Sequence, residues 1–204
     1  MKKIVCSVGL LLILSSSSIM AFDACGSVFG NLSTAESLGM GQGRFAGGIG
    51  IADATSFHGA FVYGMSQYID GRLKLGAASN NGETYFTLGA DMKYQIWSAD
   101  DYANHPFDLA IGGLFEHISF NGAGLSEIGI FGLGSYPMEL TNGHKLSPYG
   151  RLNIRIESSE SNSELEFGLH GGVCYEATEF INLYGEIQID GNEGIFFGLD
   201  YRAL

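Results

Sequence analysis

Five histidines, His58, His105, His117, His144 and His170, are the first side chains to test for chemistry, since imidazole is the commonest general base and metal ligand. They are scattered over different stretches, and no two stand at metal-ligand spacing. Two serines sit in segments that begin like a nucleophile-bearing turn, Gly64-Met65-Ser66-Gln67 and Gly124-Leu125-Ser126-Glu127, but both lack the closing glycine. The acidic residues Asp53, Glu83, Glu157, Glu160, Asp190 and Glu193 could gather divalent cations at one rim, and they equally make a solvated acidic edge, which is the expectation here. The residue types therefore predict no catalytic site, no metal and no cofactor.

The charged residues do carry a pattern. Arg72, Lys74, Asp91, Lys93, Glu116, Arg151, Arg155, Glu166, Glu186, Asp200 and Arg202 all fall on the polar parity of stretches that alternate apolar and polar residues. In Ile181 to Ile189, Ile181, Leu183, Ile187 and Ile189 alternate with Asn182, Tyr184, Glu186 and Gln188. A period of two is the mark of a strand with one apolar and one polar face. The chain turns at Asp190 to Gly194 and returns with Ile195, Phe197, Leu199 and Tyr201 set against Asp200 and Arg202, which makes a hairpin.

The same alternation runs upstream to Gly43. It gives strands near Arg44 to Ile51, Phe57 to Met65, Arg72 to Ala77, Glu83 to Trp97, Phe107 to Glu116, Leu125 to Met138, Leu146 to Glu157 and Glu164 to Glu176. Asn80-Asn81-Gly82 is the clearest tight-turn signal. The strand from Glu83 to Trp97 is longer than a half-buried soluble strand usually runs. Ten strands are expected, with eight as the alternative count.

Composition narrows the class. Among 204 residues charged side chains make up only 16%, aromatics reach 12%, and glycine numbers 31 against 3 prolines, unlike an ordinary soluble enzyme. Residues 1–21 read as a secretory signal peptide, with Lys2 and Lys3 ahead of the apolar run Ile4 to Leu14 and a small residue at Ala21. Without Lys2 and Lys3, 8 of the 10 basic residues remain against 22 acidic ones, a net charge of −14 that argues against a nucleic-acid partner. After the signal no apolar run reaches the length of a membrane-spanning helix, so a spanning chain must be a closed barrel.

Alternation alone does not say which face is inside. Strands of about ten residues or more suit a tilted crossing of the bilayer. Aromatics on the apolar parity near strand ends, Tyr94, Phe107, Phe197 and Tyr201, suit an interfacial girdle. With the export signal, these favour polar-inside, apolar-outside. The fold expected is all-β, a closed up-and-down antiparallel transmembrane barrel over residues 43–204. Residues 22–42 lack a clean period and are expected as an N-terminal periplasmic arm with a helical turn near Ser33 to Leu38.

The run Tyr63-Gly64-Met65-Ser66-Gln67-Tyr68-Ile69-Asp70-Gly71-Arg72-Leu73-Lys74-Leu75-Gly76 resembles the strand, tight turn and strand of small bacterial outer-membrane β-barrel proteins, and Phe197-Gly198-Leu199-Asp200-Tyr201-Arg202 is similar to their closing strand. That resemblance implies a porin-like or structural barrel in the cell outer membrane, with no catalytic residues. Such proteins usually end on an aromatic that the barrel-assembly machinery reads, and this chain ends Ala203-Leu204. The expected partners are outer-membrane lipid and that machinery.

The charged set is expected to face a narrow lumen and to block most of it, because acids and bases are mixed rather than segregated. Cys25 and Cys174 are the two cysteines after the signal, and a disulfide between them would pin the arm to the periplasmic mouth, where it could act as a plug. Two other functions stay open: a soluble periplasmic or secreted barrel binding an apolar ligand, and an outer-membrane enzyme with Ser, His and Asp convergent at one rim.

Overall fold

In a computed structural model of the chain, residues 26–100, 106–120, 123–159 and 162–203 are described. Their strands are β1 (Gly43–Ala52), β2 (Thr55–Gly64), β3 (Ile69–Asn80), β4 (Glu83–Trp97), β5 (Asp108–Phe120), β6 (Ala123–Ser135), β7 (Met138–Glu139), β8 (Lys145–Ser158), β9 (Ser163–Glu176), β10 (Ile181–Ile189) and β11 (Gly194–Arg202). Every pairing between them is antiparallel.

Sequence neighbours pair in an up-and-down order, and two further pairings, β1 with β11 and β6 with β8, close the sheet on itself. The two residues of β7 pair only with the start of β8, so the wall is a closed barrel of ten strands. Closure removes the unpaired edges that an open sheet would expose. The β3–β4 connection is the tight turn expected at Asn81-Gly82, where both residues have positive φ (51° and 84°), as a type I′ hairpin requires.

Each strand's alternation resolves one way. Phe86, Leu88 and Ile187 face outward, with 58%, 40% and 59% of their surfaces exposed. The intervening Tyr85, Thr87 and Glu186 are buried inside. The soluble alternative needed the apolar parity inside, and the wall is built the other way round.

β1 begins and β11 ends at one mouth, called here the near mouth; the β1–β2 and β10–β11 turns lie at the far mouth. Tyr63, Tyr94, Trp97 and Tyr201, outward residues at strand ends, ring the near mouth. Ring contacts extend this belt, with Trp97 edge-on to Phe107 at 5.7 Å between centroids and Phe180 tilted against Tyr201 at 6.5 Å.

Residues 26–42 depart from expectation. They run through the barrel instead of lying outside its mouth. Gly26 packs against Asp190 and Asn192 at the far mouth, so closely that a Cβ would overlap them. Asn31 is buried at mid-barrel, and Gly41 donates its amide to Gly64 O at the near mouth, at 2.8 Å. The helical turn expected near Ser33 to Leu38 is absent; the backbone there is extended with one bend at Ala35 and Glu36. A helix would turn its amides on itself, whereas here lumen side chains take them.

Candidate functional site

The lumen is built from the inward residues of all ten wall strands and from the segment they enclose. Cross-strand register sets the first contacts. Arg72 on β3 lies opposite Asp91 on β4 and bonds it through Nε and Nη2, the latter at 2.7 Å. Two residues along, Lys74 bridges Asp91 (3.1 Å) and Glu116 on β5 (2.8 Å). Lys93 stands 3.5 Å from Asp70. Arg44 on β1 reaches Asp200 on β11 at 2.7 Å, and the Tyr184 hydroxyl donates to the other oxygen of that carboxylate at 2.6 Å. These ion pairs are nearly dry, and a charge is tolerable there only because each has a partner.

Glu186 on β10 is the centre of the lumen. One oxygen accepts from the Asn31 amide (2.7 Å) and lies 3.0 Å from His170 Nδ1; the other accepts from the Leu32 amide (2.9 Å) and the Tyr149 hydroxyl (2.7 Å). His170 carries the chain of contacts toward the far mouth, its Nε2 lying 3.0 Å from Asp190. Both ring nitrogens thus face carboxylates, and Nε2 also lies 3.1 Å from the Asn153 side-chain nitrogen.

The far half of the lumen is richer in acid. Glu116, Glu127 and Glu157 stand directly opposite one another across β5, β6 and β8. Like charges in register repel, and Arg155 sits among them, 3.3 Å from Glu127, 2.8 Å from Glu157 and 3.3 Å from Asp190, while also donating to Asp190 O. Glu127 has the ion-pair distance to Arg155 but no hydrogen bond to either oxygen.

Of the residues expected in the lumen, Arg72, Lys74, Asp91, Lys93, Glu116, Arg155 and Asp200 enter ion pairs, and Glu186 lies 3.0 Å from His170. Arg151 is buried without one among the described residues; it bonds the Asn31 side-chain oxygen at 3.1 Å and lies over the Phe131 ring at 4.3 Å. Glu166 is half-buried opposite Arg155 and makes none of the described ion pairs. Arg202 is half-buried opposite Arg44, and its Nε has no hydrogen-bond partner. It lines a cavity of about 290 Å³ at the near mouth with Arg44, Asp70, Tyr184 and Leu38.

Glu157 and Asp190, expected on a solvated rim, are buried in the lumen instead, because Arg155 draws both inward. Asp53, Glu83 and Glu193 are exposed as expected, and Glu160 and His105 lie outside the described residues. Asp70, Glu127, Tyr149 and Gln188 are lumen residues that the charge pattern missed. Parity already set Gln188 on the polar face beside Glu186 and would have found Glu127 as well, whereas Asp70 reads as part of a turn.

Among the described residues no disulfide is formed. Cys174 is a free, buried thiol on β9, beside Tyr184 on the near half of the barrel. Cys25 lies outside the described residues, and its chain neighbour Gly26 is at the far mouth, most of the barrel's length away. The path of the described segment carries Gly26 to the end of the lumen away from Cys174.

Among the described residues no group of three or more His, Cys, Asp or Glu is arranged to hold a metal. One Ser–His contact exists: His117 Nδ1 lies 2.9 Å from Ser126 Oγ, on adjacent strands and on the outward parity near the far mouth. No described hydrogen bond or ion pair joins a carboxylate to that histidine, so the third member of a triad is missing.

No protein-family model and no curated protein matches the sequence. Solved structures do resemble it. The N-terminal β-barrel domain of Pseudomonas aeruginosa OprF matches with TM-score 0.41 and 10% identity, covering 81% of this chain and 99% of that one. The β-domain of the Bordetella autotransporter BrkA matches with TM-score 0.48 and 12% identity over 79% of this chain and 98% of that one. The KdgM porin matches with TM-score 0.43 and 8% identity over 79% and 99%. What the chain shares with them is the barrel fold.

Proposed function

We propose that the chain is an exported, integral outer-membrane β-barrel with a charged and largely blocked lumen, and that its role is structural or that of a narrow, porin-like channel. The observation that carries this reading is the filling of the lumen: residues 26–42 pass from mouth to mouth, and the inward side chains close on them with buried ion pairs. The outward wall supports the membrane part. Its exposed isoleucines, leucines and phenylalanines would be costly in water and cost nothing against lipid. A ring of Tyr and Trp at the near mouth suits the level of the headgroups. Lipid is then the partner of the outer wall. The barrel-assembly machinery is the partner for insertion.

Planar-bilayer recording tests the blocked lumen. The intact mature chain is expected to give no steady conductance in the range of general porins, and a chain lacking residues 26–38 is expected to conduct measurably more. Porin-range conductance from the intact chain would sink the reading. Gel mobility tests the membrane part: the folded protein is expected to be heat-modifiable and to need detergent, and a chain that stays soluble without it would overturn the membrane placement.

A further inference from the structure

We propose that the lumen is a binding site for an extended polypeptide read through its backbone, and that residues 26–38 are the ligand it holds in cis. Nine main-chain groups of this segment bond side chains that line the barrel or its far turn: the amides of Asn31, Leu32, Ala35, Ser37 and Leu38, and the carbonyls of Ser27, Asn31, Thr34 and Glu36. Side-chain groups of the segment make five such contacts. The majority fall on atoms that every amino acid except proline possesses, so the lumen recognises an extended chain more than a particular sequence.

The charges are placed to match. Carboxylates meet amides, Glu186 at Asn31 and Leu32 and Asp70 at Leu38; cations meet carbonyls, Arg72 at Asn31 (2.6 Å) and Lys93 at Thr34 and Glu36 (2.6 Å each). Hydrogen bonds with one ionised partner are the stronger kind. Because amides and carbonyls alternate in a fixed order along a chain, this arrangement also sets the direction in which a peptide lies.

One side chain supplies an anchor. Phe29 is fully buried, edge-on to the His58 ring at 5.1 Å and 5.0 Å beneath the Lys74 ammonium. Val28 beside it is buried in the same apolar cluster, and the side chains from Leu32 onward are small or at least partly exposed. The ligand class is therefore an extended peptide with an aromatic residue near one end and small or flexible side chains along the rest. The proposal rests on the segment lying in a closed barrel, and not on the conductance or the compartment of that barrel.

The near mouth offers a place to cut, since Met40 is 79% exposed there. A protease site placed across Gly39–Gly41 would allow the folded full chain to be nicked, then unfolded and refolded with excess fluorescent peptide of residues 26–38. Label is expected in the folded, heat-modifiable band. Replacing the amide of Leu32 or of Leu38 by an ester, which removes one N–H donor to a carboxylate, should weaken capture at least about tenfold each. Phe29→Ala in the peptide should weaken it by at least about tenfold, whereas Ser33→Ala with Thr34→Ala should change it less than about threefold. Absence of label from a folded barrel overturns the proposal. So does capture that survives both esters and is lost with the Ser33 and Thr34 changes. Porin-range conductance of the intact chain would end the blocked-channel function while leaving label capture as the separate measure of this one.

Discussion

On β10, Glu186 and Gln188 are almost wholly buried, while Ile187 and Ile189, each one residue further along the backbone, have more than half of their surface exposed. The two faces of the same strand are adapted to two different surroundings. Inside, every residue that faces the lumen needs a hydrogen-bonding or ionic partner, and most find one across a strand or on residues 26–42. Outside, the surface is mainly apolar, and the described contacts there are few: ring contacts such as Trp97 with Phe107 and the His117–Ser126 contact between adjacent strands. The inner face is therefore where single residues matter, and the outer face is where only polarity matters.

The comparison breaks most sharply at Glu186. Glu186→Ala leaves the Tyr149 hydroxyl, His170 and two amides of the segment without their acceptor. Removing one partner of a buried charged cluster costs about 3–5 kcal/mol, so denaturant unfolding in detergent or vesicles should shift by about that much. A loss below about 1 kcal/mol would mean that water replaces the carboxylate and that the inner face is not the dry, specific surface described.

On the outer face the prediction is one of polarity alone. Ile154→Lys, in the middle of β8, should cost about 2–4 kcal/mol in vesicles if that position is near the bilayer midplane, and Ile154→Leu should cost little. Equal costs for the two would show that packing, not lipid, determines this face. Near the rim both effects fade. Lys145 and Glu36 pair at 2.8 Å but are partly exposed, so Lys145→Ala should change stability by less than about 1 kcal/mol and less still at high salt.

The last prediction concerns the thiol and carries no stability change. In the unreduced, denatured chain Cys174 should react with a maleimide, and in the folded chain its burial should protect it. Failure to label after denaturation without reductant would show a disulfide and require the N-terminal segment to follow another path.

Much of the wall was legible. The Asn81-Gly82 turn, the long strand through Phe86 and Leu88, and the apolar rows of β8 to β11 all appear where the period of two places them, because a strand's side chains must alternate and only one set can meet lipid. Arg72 opposite Asp91 could be foreseen as a shared face, though not as a pair, since register depends on turn lengths. Glu157 and Asp190 read as rim residues because they stand next to turns; Arg155, two strands away from one of them in sequence, draws both inward.

Residues 26–42 were the part that sequence could not place. Their contacts are mainly through amides and carbonyls, which every residue type carries, so no period or motif marks them. The sequence by itself determined that the chain alternates, that its charges share one parity, and that the result is a sheet with one polar face. Only the tertiary structure decided that this face turns inward, that the sheet closes at ten strands, and that residues 26–42 occupy the space enclosed. The reason is physical: alternation is a local property of each strand, whereas closure, register and the path of an extended segment depend on contacts between residues up to 165 positions apart, such as Asn192 and Ser27.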